Sequence, residues 1–261
     1  MRYDAPDMWA IALQSGSNGN CIYVEADGVR LLFDAGISGK QAELRLAAAG
    51  RDIRDVNALL ISHDHSDHVC AAGVYQRKFG LAMHVTPATL EACAERCSLG
   101  RMGEVRHFRS GQTLAFGAVR VRTWPTPHDG VDGSAFVVEA EGKRLGILTD
   151  LGHPSAELDR IVASLDAVIL ESNYDPDLLA AGPYPAWLQG RIRGPGGHLS
   201  NLEAAETLAR SGQGLRWACL GHMSGDNNSP ELALATHREV LGPDAPLAVA
   251  TRYGPSAILE I

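Results

Sequence analysis

The sequence predicts an α+β fold in which two mixed β-sheets pack face to face and helices cover their outer faces. Two observations support this prediction. Short apolar runs with strand character alternate with amphipathic helical stretches, and strands precede helices in both halves of the chain. The chain has 261 residues, 45% of them apolar, which suits one large domain or two small ones. We predict a single domain over residues 1–261.

The first half of the chain predicts five strands and two helices. The runs AIALQS, CIYVEA and VRLLFDAG, separated by Gly and Asn turns, predict three successive strands. The stretch SGKQAELRLAAAG predicts a helix with Ser38 as its N-cap and Gly50 at its end. NALLIS and LAMHVT predict two more strands, and PATLEACAERC predicts a helix that Pro87 opens.

The second half begins with a β-rich region and continues with alternating helices and strands. AVRVRTW, SAFVVEA and KRLGILTD predict three strands, the last two paired across Glu141–Gly142. The elements that follow are predicted to be a helix in SAELDRIVAS, a strand in DAVILES, a helix in SNLEAAETLARS, a strand in WACLGH, a helix in SPELALATHREVL and a strand in APLAVAT.

Composition excludes some classes of function. The net charge of −8 counts against a passive nucleic-acid-binding module, which normally has a basic excess, but it does not exclude an enzyme that acts on nucleic acid. No apolar run approaches the length of a membrane span, and the first ten residues lack the features of a signal peptide. We therefore expect a cytoplasmic protein that does not enter a membrane.

Side chains of the kinds that bind metals follow four predicted strands. They are His63, His65, Asp67 and His68 after ALLIS, His128 after AVRVRTW, Asp150 at the end of LGILTD and His222 at the end of WACLGH. Neutral imidazole and carboxylate are ligands of zinc and related divalent ions. Taken singly these residues would be turn formers or helix caps, and the histidine cluster would be a solvated polar turn. Their shared position at strand ends favours a metal site.

The spacing suggests how the ligands divide between two ions. His63 and His65 are two residues apart, so in an extended loop their side chains point to the same side. Two ions held close together can share and activate one bridging water. We therefore predict one ion held by His63, His65 and His128, a second held by Asp67, His68 and His222, and Asp150 as a bridge. Zn, Mn and Fe all accept such donors, and Zn is the first candidate.

The order of these ligands resembles the metallo-β-lactamase superfamily, whose members carry His-x-His-x-Asp-His after an apolar strand. The stretches GSNGNCIYVEADGVRLLFDAGIS, LESNYDPDLLAAGPYPAWLQGRIRGPGGHLSN and LGHMSGDNNSP are similar to its YycJ/WalJ-like subfamily. This resemblance implies a four-layer αββα sandwich with the metals in a cleft at one edge, and hydrolysis by a metal-bridging hydroxide. It also implies that Asp34 steadies the histidine loop from behind. Tyr174 stands where subfamily members usually have His.

A more distant likeness to tRNA 3′-processing endonucleases of the superfamily implies catalytic roles for two further residues. His198 would contact the substrate phosphate or protonate the leaving oxygen, and Glu171 would orient its ring. Together with Asp67 they are the predicted catalytic residues. The predicted substrate-binding residues are Arg191, Arg193 and Asn227.

Three functions remain open at this stage. The first is a dinuclear-metal-dependent phosphodiesterase, most of all a DNA exonuclease, because members of the resembled subfamily are regarded as DNA exonucleases. The second is a small-molecule ester, lactone or thioester hydrolase that uses the same two ions. The third is a regulatory or binding protein that holds metal without turnover.

Overall fold

The computed structural model of the protein describes residues 8–261, which form two seven-stranded sheets and nine α-helices. The strands are β1 (Met8–Gln14), β2 (Cys21–Ala26), β3 (Val29–Phe33), β4 (Ala58–Leu60), β5 (Met83–Val85), β6 (Val105–His107), β7 (Thr113–Phe116), β8 (Val119–Pro125), β9 (Ser134–Ala140), β10 (Lys143–Leu148), β11 (Ala167–Glu171), β12 (Trp217–Gly221), β13 (Leu247–Val249) and β14 (Leu259–Glu260). The helices are α1 (Gly39–Ala48), α2 (Ser66–Val69), α3 (Ala72–Phe79), α4 (Pro87–Arg96), α5 (Ala156–Val162), α6 (Pro176–Ala181), α7 (Ala186–Arg193), α8 (Asn201–Ser211) and α9 (Pro230–Leu241).

The two sheets repeat one arrangement. The first sheet has the order β14-β1-β2-β3-β4-β5-β6, antiparallel from β1 to β3 and parallel from β3 to β6. The second has the order β13-β12-β11-β10-β9-β8-β7, antiparallel from β7 to β10 and parallel from β10 to β13. The predicted pair of mixed sheets is therefore confirmed.

Three apolar cores hold four layers together. The central core joins residues of both sheets, and its rings Phe33 and Phe136 have centroids 5.0 Å apart. A second core lies between the first sheet and helices α1, α3 and α4, and a third lies between the second sheet and helices α5, α8 and α9. Strands such as β1 and β11 are buried on both faces and read as almost continuous apolar runs. The α+β, four-layer αββα fold is thus confirmed.

Capping side chains fix several of the predicted helix boundaries. Ser38 Oγ accepts a hydrogen bond from the Gln41 amide at the start of α1. At the start of α8, Ser200 and Glu203 form a reciprocal capping box. Gly50 follows α1 with a φ of +72°, a left-handed conformation that glycine adopts without steric cost. These local signals explain why the boundaries are readable from sequence.

The sequence prediction omitted helices α2, α3, α6 and α7 and strands β6, β7 and β14. Helix α3 begins at Ala72, and the residue before it, Ala71, offers no capping side chain. Helices α6 and α7 are short and are separated by a Gly-Pro segment, so no apolar period develops over them. Among the helices of residues 8–261, none is long and apolar enough to cross a bilayer.

Helix α9 buries a histidine that makes the stability of the fold depend on pH. His237 is fully buried, its Nδ1 donates to the Ala233 carbonyl at 2.8 Å, and its Nε2 has no hydrogen-bond partner. Burial lowers its pKa from 6.5 to about 4. The unfolded chain therefore takes up a proton below pH 6.5 that the folded chain refuses until about pH 4. Stability attributable to His237 is intact above pH 6.5 and is lost between these two pH values.

We expect the substitution His237→Gln to remove about 2 kcal/mol of the stability loss that the wild type shows between pH 7 and pH 5. Urea unfolding of both proteins at the two pH values measures this difference. His107→Gln is the matched control, because His107 is exposed. If His237→Gln keeps the wild-type change with pH, the buried ring is not the cause.

Candidate metal centre

The structure brings all seven predicted metal ligands together at one edge of the two-sheet core. The donor atoms form overlapping groups, in each of which they lie within 4.8 Å of one another. The groups are His63, His65 and His128; His63, His68 and Asp150; Asp67, His68 and His222; and Asp150, Glu171, His198 and His222. The seven predicted ligands lie in segments that follow β4, β8, β10 and β12, so the sheets fix where these segments start.

The first three histidines turn ring nitrogens toward one another. His128 Nε2 lies 3.2 Å from His65 Nδ1. His128 Nδ1 donates to the Gly197 carbonyl at 2.8 Å, which leaves Nε2 as the nitrogen that faces the cluster. His63 Nε2 is buried and has no hydrogen-bond partner. Three ring nitrogens that converge in this way are suited to one cation.

The second group places a carboxylate beside two rings. Asp67 Oδ2 lies 3.5 Å from His68 Nε2 and 3.4 Å from His222 Nε2, and the two ring nitrogens are 3.4 Å apart. Asp150 lies between this group and the first. Its Oδ1 is 3.4 Å from His128 Nε2, and its Oδ2 is 3.2 Å from His68 Nε2. Asp150 therefore reaches both groups, as a bridging carboxylate must.

The charges of the cluster fit a divalent cation. Burial opposes ionisation of Asp150 and Asp67, but the surrounding histidines lower the pKa of Asp67 and hold that of Asp150 well below its usual range. Burial also opposes protonation of His222, yet Asp150, Asp67 and Glu171 raise its pKa to about 10. The pKa of His68 is raised well above its usual value by Asp150, Asp34 and Asp67 against the effect of burial. Such concentrated negative charge attracts protons or metal ions, which compete for the same nitrogens.

Three residues at the centre hold left-handed backbone conformations within two residues of a strand end. The φ angles are +65° at Asp34, +57° at Asp150 and +54° at His222. Residues other than glycine rarely adopt this region, and each instance costs on the order of 1–3 kcal/mol. The surrounding fold maintains this strain where the donor atoms must converge.

Two glycines let the loops of the site approach closely. A Cβ on Gly36 would lie 1.6 Å from the Asp67 carbonyl oxygen. Gly152 has a φ of +67°, and a Cβ there would lie 2.0 Å from the Pro127 carbonyl and 2.4 Å from that of Pro195. Any larger residue would separate the segments that carry the histidines.

Asp34 supports the histidine loop from behind. Its Oδ2 accepts a hydrogen bond from His68 Nδ1 at 2.7 Å and another from Ser62 Oγ at 2.9 Å, while its Oδ1 accepts from the Ser62 amide at 2.8 Å. Ser62 Oγ also lies 2.9 Å from His63 Nδ1. The contacts orient the rings of His63 and His68, leaving Nε2 of each to face the cluster.

We expect Asp34→Asn to weaken metal affinity by about 10- to 100-fold, because the amide cannot accept hydrogen bonds at both ends. Asn tolerates the left-handed backbone, so the substitution changes the hydrogen bonds and the charge of this side chain without straining the main chain. Competition with a chromophoric chelator measures the change. Asp55→Asn, at an exposed acid, should bind metal as the wild type does. Unchanged affinity in Asp34→Asn would contradict the supporting role.

Glu171 joins two histidines to one buried carboxylate. Its Oε1 accepts from His198 Nδ1 at 2.7 Å and from His222 Nδ1 at 3.1 Å, and its Oε2 accepts from the amides of Leu151 and Leu199. Burial would raise the pKa of Glu171, but His198 and His222 lower it to about 2. With both oxygens engaged, Glu171 orients the rings. His198 Nε2 remains available to the cleft that this ring lines.

A cleft of about 480 Å³ opens over these donors. Its lining includes His65, Asp67, Asp150, His198, His222, Arg96, Tyr184, Leu188, Arg191 and Ile192. Of the three predicted substrate-binding residues, Arg191 alone lines the cleft within residues 8–261. Arg193 donates to Gln189 Oε1 on the exposed side of α7, and Asn227 is fully buried, with its Nδ2 donating to Ser224 Oγ.

Sequence reasoning missed several polar residues around the site. Asp129 accepts two hydrogen bonds from Arg191, at 2.5 and 2.8 Å, and lies 3.4 Å from His65 Nε2. Asp64 is buried between two predicted ligands, faces away from them, and pairs with Arg96 at 3.0 Å. Adjacency to His128 was the only available signal for Asp129, and nothing in the sequence indicated the partner of Asp64.

Tyr174, the departure from the subfamily pattern, lies outside the donor cluster. It is buried with Leu179 and Ile192 in a small apolar cluster under helices α6 and α7. Its main chain bridges to Ser200, and its carbonyl accepts from the Asn201 amide. The tyrosine therefore packs the base of the segment that forms one wall of the cleft.

Comparison with known proteins agrees with the fold. A family model described as the beta-lactamase superfamily domain matches residues 29–223. The chain is 37% identical to exodeoxyribonuclease WalJ of Streptococcus pneumoniae, over 86% of this chain and 84% of that protein. It is 33% identical to exodeoxyribonuclease YycJ of Bacillus anthracis, over 88% of this chain and 87% of that protein.

Solved structures show the same fold. The crystal structure of Zn²⁺-bound PqqB from Methylobacterium extorquens superposes with a TM-score of 0.74 at 16% identity, covering 97% of this chain and 100% of that chain. At this identity the likeness concerns the fold alone. The family match and the two relatives show that the chain belongs to the metallo-β-lactamase superfamily, in the group that contains WalJ and YycJ.

Proposed function

We propose that this protein is a metal-dependent phosphodiesterase that degrades DNA as an exonuclease. The observation that carries the proposal is the Glu171–His198 pair, which lies beside the seven-donor cluster on one cleft surface. A ring able to move a proton is thus next to residues able to hold cations. The relatives at 37% and 33% identity bear the name exodeoxyribonuclease, which supports DNA as the substrate.

The seven donors are proposed to hold two divalent ions. His63, His65 and His128 would hold one, Asp67, His68 and His222 would hold the other, and Asp150 would contact both. Bound divalent ions supply Lewis-acid stabilisation of phosphate charge and promote ionisation of water. Zn²⁺ is the first candidate because imidazole nitrogens and carboxylate oxygens are among its usual donors, while Mn²⁺ and Fe²⁺ accept the same set.

His198 is proposed to protonate the leaving oxygen. Glu171 holds Nδ1 at 2.7 Å, so Nε2 is the nitrogen that can contact substrate, and the ionised carboxylate stabilises the protonated ring. Asp67 lines the cleft with a side chain that is 20% exposed, so one of its oxygens can orient the attacking water by accepting a hydrogen bond. Asp67 would thereby both bind metal and position the attacking water.

The acidic net charge is compatible with an anionic substrate. Two guanidinium groups, those of Arg96 and Arg191, line the cleft. Each is paired with a carboxylate, Asp64 or Asp129, which fixes its position. Cations held by the donor cluster would add positive charge at the base of the cleft. A phosphate in the cleft would then meet a positive local potential although the whole chain is negatively charged.

Incubation with end-labelled single- and double-stranded DNA in the presence of Mn²⁺ or Zn²⁺ tests the proposal. We expect progressive shortening from an end, with no cleavage after chelation or in a His65→Ala variant. A panel of esters, lactones and thioesters is assayed in parallel. Turnover of one of these without cleavage of DNA would overturn the proposal in favour of a small-molecule hydrolase. Metal binding without any turnover would indicate a binding protein.

A further inference from the structure

Helix α7 forms one wall of the cleft and leaves a tryptophan exposed beside it. Trp187 is 71% exposed. The apolar cluster beneath the segment takes in Ile192, Leu188 and Tyr184 but not the indole. The indole thus lies outside this cluster and is mostly in solvent, on the same helix as three residues that line the cleft.

The position of Trp187 on the helix turns it toward the rim of the cleft. Leu188, Arg191 and Ile192 all line the cleft. At about 100° per residue, Trp187 lies roughly 40° from Arg191 and roughly 140° from the buried Ile192 around the helix axis. Residues four apart are neighbours on a helix surface, so Trp187 and Arg191 form one continuous patch that leads from the rim into the cleft.

Two contacts hold this wall in place. Arg191 makes two hydrogen bonds to Asp129, which lies 3.4 Å from the ring of His65. Tyr184 donates its hydroxyl proton to Asp226 at 2.6 Å. The helix that carries Trp187 is therefore tied to the donor cluster on one side and to the loop after His222 on the other. An aromatic ring on such a fixed element can bind a flat ligand at little cost in ordering.

We propose that Trp187 stacks on an unpaired base of a single DNA strand whose backbone passes Arg191 into the cleft. The inference rests on the proposed nuclease function and defines its substrate as a strand with unpaired bases. Aromatic stacking beside a guanidinium is the combination by which proteins bind single strands without reading sequence, because every base has a π-face. A base that is paired within a duplex cannot offer its face to Trp187, so duplex ends must open first.

Binding of a single-stranded oligothymidylate with phosphorothioate linkages to the Mn²⁺-loaded protein tests the proposal. We expect Trp187→Ala to raise Kd about 5- to 100-fold, Trp187→Phe to retain most of the affinity, and a blunt duplex of equal length to bind all three proteins alike. Leu178→Ala is the matched control, since Leu178 is 42% exposed on α6 and does not line the cleft. It should bind as the wild type does.

An abasic scan separates stacking from a general loss of contact. Oligonucleotides are made with the base removed at one position at a time. For the wild type, removal of the base at one position should lower the affinity as much as Trp187→Ala does. Removal of the same base should not lower the affinity of the Trp187→Ala variant any further. Equal losses in both proteins at every position, or wild-type affinity in Trp187→Ala, would overturn the stacking site. Failure of the stacking site leaves the nuclease proposal intact as long as the wild type cleaves DNA. If the wild type does not cleave DNA, the nuclease proposal itself is refuted.

Discussion

Asp150→Asn is expected to lower kcat/KM for DNA by at least about 10³-fold, the equivalent of several kcal/mol of transition-state stabilisation. Asp150 reaches both groups of metal donors, with one oxygen 3.4 Å from His128 Nε2 and the other 3.2 Å from His68 Nε2. Its Oδ2 is buried and has no hydrogen-bond partner, so the carboxylate is oriented for a cation. An amide of the same shape keeps one acceptor and loses the negative charge.

Elemental analysis of the purified variant should show fewer than two ions per chain under conditions that fully load the wild type. Asn accepts the left-handed conformation at this position, so the fold should survive, and circular dichroism checks that it does. Asp159→Asn is the control, because this acid pairs with Arg210 on the outer helices. Full activity and two ions in Asp150→Asn would show that the bridging assignment is wrong.

His198→Ala is expected to lower kcat by about 10²- to 10⁴-fold while leaving metal content unchanged, because general-acid help has that magnitude and His198 is assigned to neither ion. The ring is held by Glu171 and lines the cleft. His153→Ala is the control. Its Nδ1 donates to the Pro195 carbonyl in the loop that precedes His198, so it reports any effect on that loop.

The leaving group distinguishes protonation from phosphate binding. A p-nitrophenyl phosphodiester releases an oxygen that departs without a proton. The loss of kcat in His198→Ala should therefore be much smaller with this substrate than with DNA, if the ring acts as an acid. An equal loss with both substrates would assign His198 to phosphate binding, and a loss of metal would assign it to the donor set.

Much of the fold and of the candidate site was predictable because the relevant signals are local. The stretch from His63 to His68 carries four donor residues directly after an apolar strand, and His222 follows another strand at once. Apolar runs indicate where strands end, and only a few residue types have side chains that bind metal ions. Ser38 and Ser200 marked helix starts for the same reason, since capping depends on residues a few positions apart.

The remaining features depend on pairings between distant parts of the chain. Arg96 pairs with Asp64, and Asp129 pairs with Arg191 across 62 residues. No local pattern announces such partners, because ion pairs form wherever the fold brings charges together. Helices α6 and α7 were missed because each is short and shares a small core of its own. The exposure of Trp187 follows from that packing and has no counterpart in the sequence.

The division of the donors between the two sheets has a consequence for the timing of activity in the cell. His68 and His222 approach to 3.4 Å although 154 residues separate them. A nascent chain on the ribosome exposes the histidine loop early, yet it lacks three of the seven donors until the second sheet emerges. The enzyme thus cannot assemble its full set of ligands until the chain has been synthesised past His222 and the second sheet has folded against the first.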